Sequence, residues 1–110
     1  MGLNRVVKLD TETIPAGQFK DLKYSPEVDL TLKQIQAVEV AAGDYVNVFT
    51  TLYLGDNPIF RPDAVIAILK FDHPNPLNFD LRHNKGVDLS FRVTNTATAA
   101  RRVIFHLIYE

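Results

Sequence analysis

Along most of this chain apolar and polar residues alternate with a period of two, the spacing of a half-buried β-strand. The clearest stretch is Val87-Asp88-Leu89-Ser90-Phe91-Arg92-Val93-Thr94, apolar at every odd number and polar at every even one. Leu77-Asn78-Phe79-Asp80-Leu81-Arg82 repeats the pattern, and the intervening His83-Asn84-Lys85-Gly86 ends in Gly, as a short hairpin connection does. After the turn Asn95–Ala100, the segment Arg101–Tyr109 puts Val103, Phe105, Leu107 and Tyr109 on one face. These three segments predict an antiparallel meander. Leu77, Phe79, Leu81, Val87, Leu89, Phe91 and Val93 should face the core, because a slip of one residue would turn the whole set to solvent.

Upstream, Tyr45–Leu54 alternates with Val46, Val48, Leu52 and Leu54 on one face and Tyr45, Phe49 and Tyr53 on the other. Ala64–Phe71 is apolar at nearly every position, which predicts a strand covered on both faces. Leu3–Leu9 and Gln18–Tyr24 read as further strands. Pro58, Pro62, Pro74 and Pro76 fall between these runs, where strands tolerate them. Residues 26–42 carry two patterns. Ser25-Pro26-Glu27 resembles a helix start, with Val28, Leu32, Ile35, Val38 and Ala42 at helical spacing and Gly43 as a stop. Leu30-Thr31-Leu32 and Val38-Glu39-Val40 alternate as a strand does, with a phase slip near Gln34 that a bulge would absorb. The strand reading is favoured. The chain is then all-β: an antiparallel β-sandwich or barrel of about eight strands, one domain over residues 1–110.

Composition narrows the chemistry. A chain of 110 residues with 46% hydrophobic and 23% charged residues is globular and large enough to hold a core without cross-links. It has no Cys, which removes disulfides, thiolate metal sites and thiol catalysis. Five basic residues stand against seven acidic ones up to Gly55, and seven against six thereafter, so neither half attracts nucleic acid or an anionic membrane. The one adjacent basic pair, Arg101-Arg102, falls short of the broad basic stripe of nucleic-acid proteins. The longest apolar run, Ala64–Leu69, is too short to span a membrane, and the opening residues do not form a signal peptide. A soluble, cytoplasmic protein is the expectation.

No spacing commits the chain to catalysis. His73, His83 and His106 form no short-spaced pair and read as two turn residues and one strand residue rather than metal ligands. Ser90 is the outward residue of an alternating strand, and Ser25 is the only other Ser. Asp80, Asp88, Arg82 and Arg92 read as a charge ladder across one hairpin. Asp44, Asp56, Asp63 and Asp72 lack the spacing of a calcium loop. No enzyme, cofactor or metal is expected. The remaining feature is apolar surface: Ile104 and Ile108 oppose the inward face of the last strand, and Val65, Ile66 and Ile68 lie in a run apolar on both sides. Such residues predict a subunit interface.

The succession from Phe91-Arg92-Val93-Thr94-Asn95-Thr96 to the terminal apolar strand ending at Tyr109 resembles small jelly-roll structural proteins of viruses and phages, of the capsid, decoration or fibre-head type. That resemblance implies a jelly-roll-like fold, self-assembly into homo-oligomers (often trimers), contact with other virion proteins, and a place on a particle surface. A second expectation, from a different class, is a carbohydrate-binding module using Tyr24, Tyr45, Tyr53 and Phe60, weakened by the absence of Trp.

Overall fold

The computed structural model describes residues 5–40 and 45–110. They form eight strands: β1 (Arg5–Asp10), β2 (Phe19–Tyr24), β3 (Leu30–Glu39), β4 (Val48–Leu54), β5 (Asn57–Val65), β6 (Asn78–His83), β7 (Leu89–Asn95) and β8 (Val103–Tyr109). A 3-10 helix, Ile66–Leu69, follows β5, and no helix among the described residues is long and apolar enough to cross a membrane. The strands make two four-stranded antiparallel sheets, ordered β1-β8-β3-β6 and β2-β7-β4-β5. This is a jelly roll. One long ribbon, closed at its tip by the β4–β5 turn, pairs β3 with β6, β2 with β7 and β1 with β8. Rolling that ribbon up brings β8 against β3 and β7 against β4.

The turn at the tip needs a left-handed residue. Leu54 pairs with Asn57, and Gly55, at φ +60°, takes the first central position of a two-residue connection. In β3 the phase slip near Gln34 is a register shift between Leu32 and Gln34, and it leaves Leu32 and Ile35 both buried. The strand reading of this segment therefore holds over Leu30–Glu39. Leu3, Ala42, Gly43 and Asp44 lie outside the described residues.

Three expectations are corrected. The meander does not form: β7 lies in one sheet, β6 and β8 in the other. His83, expected in an exposed turn, is instead fully buried at the end of β6. Its Nε2 lies 2.5 Å from the Val87 carbonyl and its Nδ1 2.8 Å from the Tyr109 hydroxyl. The connection is further held by the Asp29 carboxylate on the Lys85 N–H and the Pro26 carbonyl on the Gly86 N–H, so the chain crosses over the sandwich rather than doubling back.

Next, Ala64–Phe71 is not one strand. β5 ends at Val65, and the 3-10 turn buries Ile66 and Leu69, three residues apart and so on one side of it. Pro58 and Pro62 consequently lie inside a strand, which is tolerable because β5 is a sheet edge. Last, Leu77 is exposed and Val87 is half-buried, whereas Phe79 and Leu81 pack against the core as expected and Leu89, Phe91 and Val93 are fully enclosed.

The core lies between the sheets. Phe91 of β7 stacks on Phe105 of β8 with ring centroids 4.8 Å apart, joining the two layers at the centre. Truncating Phe91→Ala removes that contact and leaves a cavity, with an expected loss of about 3–5 kcal/mol in chemical denaturation. A loss under about 1 kcal/mol would show that the site collapses or that the ring is not core.

Candidate functional site

The polar residues singled out in the sequence are dispersed. His73 accepts a hydrogen bond from the Asn75 N–H at 2.9 Å in its turn, His83 is core, and His106 is half-buried on an outer sheet face. A carbonyl can only accept, so His83 Nε2 carries the proton and Nδ1 accepts from Tyr109, whose phenol is held protonated well above its usual range by burial. The expected charge ladder does not exist, because its members sit on different sheets: Asp80 pairs with Lys33, Arg82 with Asp29, and Arg92 with Asp21. Arg101 and Arg102, adjacent in sequence, diverge to Glu39 and Asp10. Among the described residues no group of three His, Asp or Glu side chains converges as metal ligands would.

Two outer faces remain. On the sheet β1-β8-β3-β6, strand register aligns three rows across the central strand. Val6, Ile108 and Gln34 make one, Lys8, His106 and Gln36 the next, and Asp10, Ile104 and Val38 the third. Ile104, Ile108 and Val38 are half-buried and Val6 is 61% exposed. Of the expected interface residues, Ile104 and Ile108 thus share an outer face. Ile66 does not join them: it is enclosed by this chain's own core. Ile68 is half-buried against that core, and Val65 lies beside Phe49 in the other sheet.

The outer face of β2-β7-β4-β5 carries an open cleft of about 460 Å³, lined by the polar or charged Asp21, Lys23, Thr51, Tyr53, Ser90 and Arg92 together with the apolar Leu22 and Phe91. Arg92 is fixed from three sides. Its Nε and Nη2 donate to the two Asp21 carboxylate oxygens at 2.9 and 3.1 Å, and its guanidinium lies 4.2 Å from the centre of the Phe19 ring. Its backbone N–H donates to Thr51 Oγ1 at 3.1 Å. The Arg92 guanidinium in turn holds the Asp21 carboxyl below its usual value. Of the four aromatics expected on a sugar-binding surface, Tyr53 lines this cleft. Tyr24 packs inward against Tyr109 and His83, Phe60 packs against Phe79, and Tyr45 is buried with its hydroxyl accepting from the Glu39 N–H. The Phe19, Asp21 and Arg92 cluster went unread in the sequence because its members lie on strands paired across some seventy positions, and no local pattern marks such a pairing.

One ion pair closes the Ile104 row. Asp10 Oδ1 accepts from Arg102 Nε at 3.0 Å and from the Glu12 N–H at 2.8 Å, with a second contact from Arg102 Nη2 to Oδ2. The Arg102 hydrogen bond, aided by the Glu12 N–H, lowers the Asp10 carboxyl from 3.8 to about 2. A group with a depressed folded-state pKa stabilises fully above its unfolded value and loses that contribution as pH falls through the folded one. Asp10→Asn should therefore be less stable than the wild type at neutral pH. The gap should narrow between about pH 4 and about pH 2, read as the difference in denaturation midpoints. A gap constant with pH would show that the carboxylate charge contributes nothing.

Compared with protein-family models, with curated proteins and with solved structures, the chain has no significant match in any of the three.

Proposed function

We propose that this chain is a non-enzymatic structural subunit that assembles with copies of itself, of the kind that builds virus capsids, decorations or fibre heads. The observation that carries the reading is the two apolar cross-strand pairs set by register on the outer face of β1-β8-β3-β6, Val6 opposite Ile108 and Val38 opposite Ile104. These side chains belong to the central strand and both its neighbours, in two rows on either side of the Lys8, His106 and Gln36 row. The jelly-roll topology supports the same reading by analogy, since that fold recurs in shell-forming subunits. A trimer is the favoured assembly. A closed ring repeats one head-to-tail contact between neighbouring copies around its axis and leaves no open end.

The interface proposed here is Ile104 and Ile108 with Val6 and Val38, in place of the Val65–Ile68 segment. Sedimentation equilibrium should give about three times the 12.4 kDa chain mass. Ile104→Glu or Ile108→Glu, each placing a charge on an outward position, should weaken association about tenfold or more while leaving the β-sheet circular dichroism unchanged. A wild-type protein that sediments as a monomer across micromolar concentrations would end this reading.

A further inference from the structure

We infer that the cleft on the outer face of β2-β7-β4-β5 is a binding site for an uncharged carbohydrate, a stretch of neutral glycan lying across the strands. Self-association is proposed for the opposite sheet, so the two readings stand or fall separately.

The lining chemistry is that of a polyhydroxylated ligand. Asp21 and Arg92 face the cleft as a bidentate pair, with acceptor and donor side by side. Two of the five guanidinium N–H groups are used by Asp21, and the carboxylate oxygens keep lone pairs on their open sides. Such a pair matches neighbouring hydroxyls, each of which both donates and accepts. Thr51, Ser90 and Tyr53 add three hydroxyls along the same cleft. Tyr53 also supplies an aromatic surface for the C–H face of a sugar ring. The guanidinium is already held between the Asp21 carboxylate and the Phe19 ring, so little side-chain freedom is lost when a ligand arrives.

Other ligand classes fit less well. An anion would find Arg92 neutralised by Asp21, with Asp63 also acting on it, and Lys23, whose charge also acts on Asp21, as the other cation lining the cleft. An apolar ligand would strip water from a charged pair without replacing its hydrogen bonds. The volume of about 460 Å³ lies within the usual range of small-molecule sites, and the cleft is open rather than enclosed. It therefore suits a few residues of an extended glycan better than a sugar enclosed on all sides.

The test is amide mapping by NMR on the ¹⁵N-labelled full chain. Cellohexaose, xylohexaose, mannohexaose and laminarihexaose serve as neutral probes, with sialyllactose and a polyglutamate peptide as anionic ones, all at millimolar concentration. At least one neutral probe should give saturable shifts confined to residues 21–23, 51–53 and 90–92. Tyr53→Ala should weaken that binding about tenfold or more. If Tyr53→Ala loses its dispersed spectrum, Ser90→Leu, which fills the cleft from an outward strand position, should abolish the shifts instead. No saturable shift with any neutral probe, shifts mapping to another face, or binding by the anionic probes alone would each overturn the assignment.

Discussion

The last strand occupies the middle of a sheet, and the rest of the molecule is arranged around that constraint. β8 hydrogen-bonds β1 on one side and β3 on the other, so the start of the chain, its first third and its end meet along one strand. Its inward residues Val103, Phe105, Leu107 and Tyr109 are all fully enclosed, and Phe105 carries the ring stack that joins the layers. β3 and β6 pair directly with each other, but β1 joins this sheet only through β8. Non-local pairing of this kind makes folding slow, because loop entropy is lost before the contacts repay it.

Rolling a ribbon into two sheets forces the chain over the ends of the sandwich, and each crossing would strand polar groups without a partner. Side chains meet that need. Asn95, fully buried, donates through Nδ2 to the carbonyls of Ile14 and Ala99 and accepts the Ala97 N–H. Thr11 accepts the Val103 N–H where β1 leaves its sheet. Glu39 accepts from Arg101 at 2.6 Å and from the Tyr45 N–H at 2.8 Å, which holds Tyr45 at φ 62°, a backbone conformation costly for a side chain of that size. Among the described residues no buried side-chain nitrogen or oxygen lacks a partner. Losing one member of such a cluster exposes the others to an unmet hydrogen bond, which costs more than the bond itself contributes.

The two outer faces differ in kind. One presents aliphatic pairs interrupted by a row of Lys8, His106 and Gln36, a surface whose gain on contact comes from excluding water. The other presents an ordered array of donors, acceptors and aromatic rings around Arg92, where gain on contact comes from matched hydrogen bonds. The segment after β5 lies beside β3, where Lys70 bridges to Ala37.

The sequence by itself determined that the chain is all-β and antiparallel, and the tertiary structure made it a sandwich of two sheets. Period-two alternation marks Leu89–Asn95 and Val103–Tyr109 plainly, and the phase slip near Gln34 marks the bulge in β3, because side-chain direction within a strand depends only on neighbouring residues. The same alternation marked Ile104 and Ile108 as outward-facing. Which strands pair was decided by tertiary structure alone. His83 reads as a turn residue, yet it is buried at the end of β6 with its Nδ1 2.8 Å from the hydroxyl of Tyr109, 26 positions away. Ile66 reads as surface until β5 stops at Val65 and the 3-10 turn points it inward. Asp21 and Arg92 carry no mark of each other in the sequence, since pairing across 71 positions is set by how the ribbon rolls and not by any residue near either one.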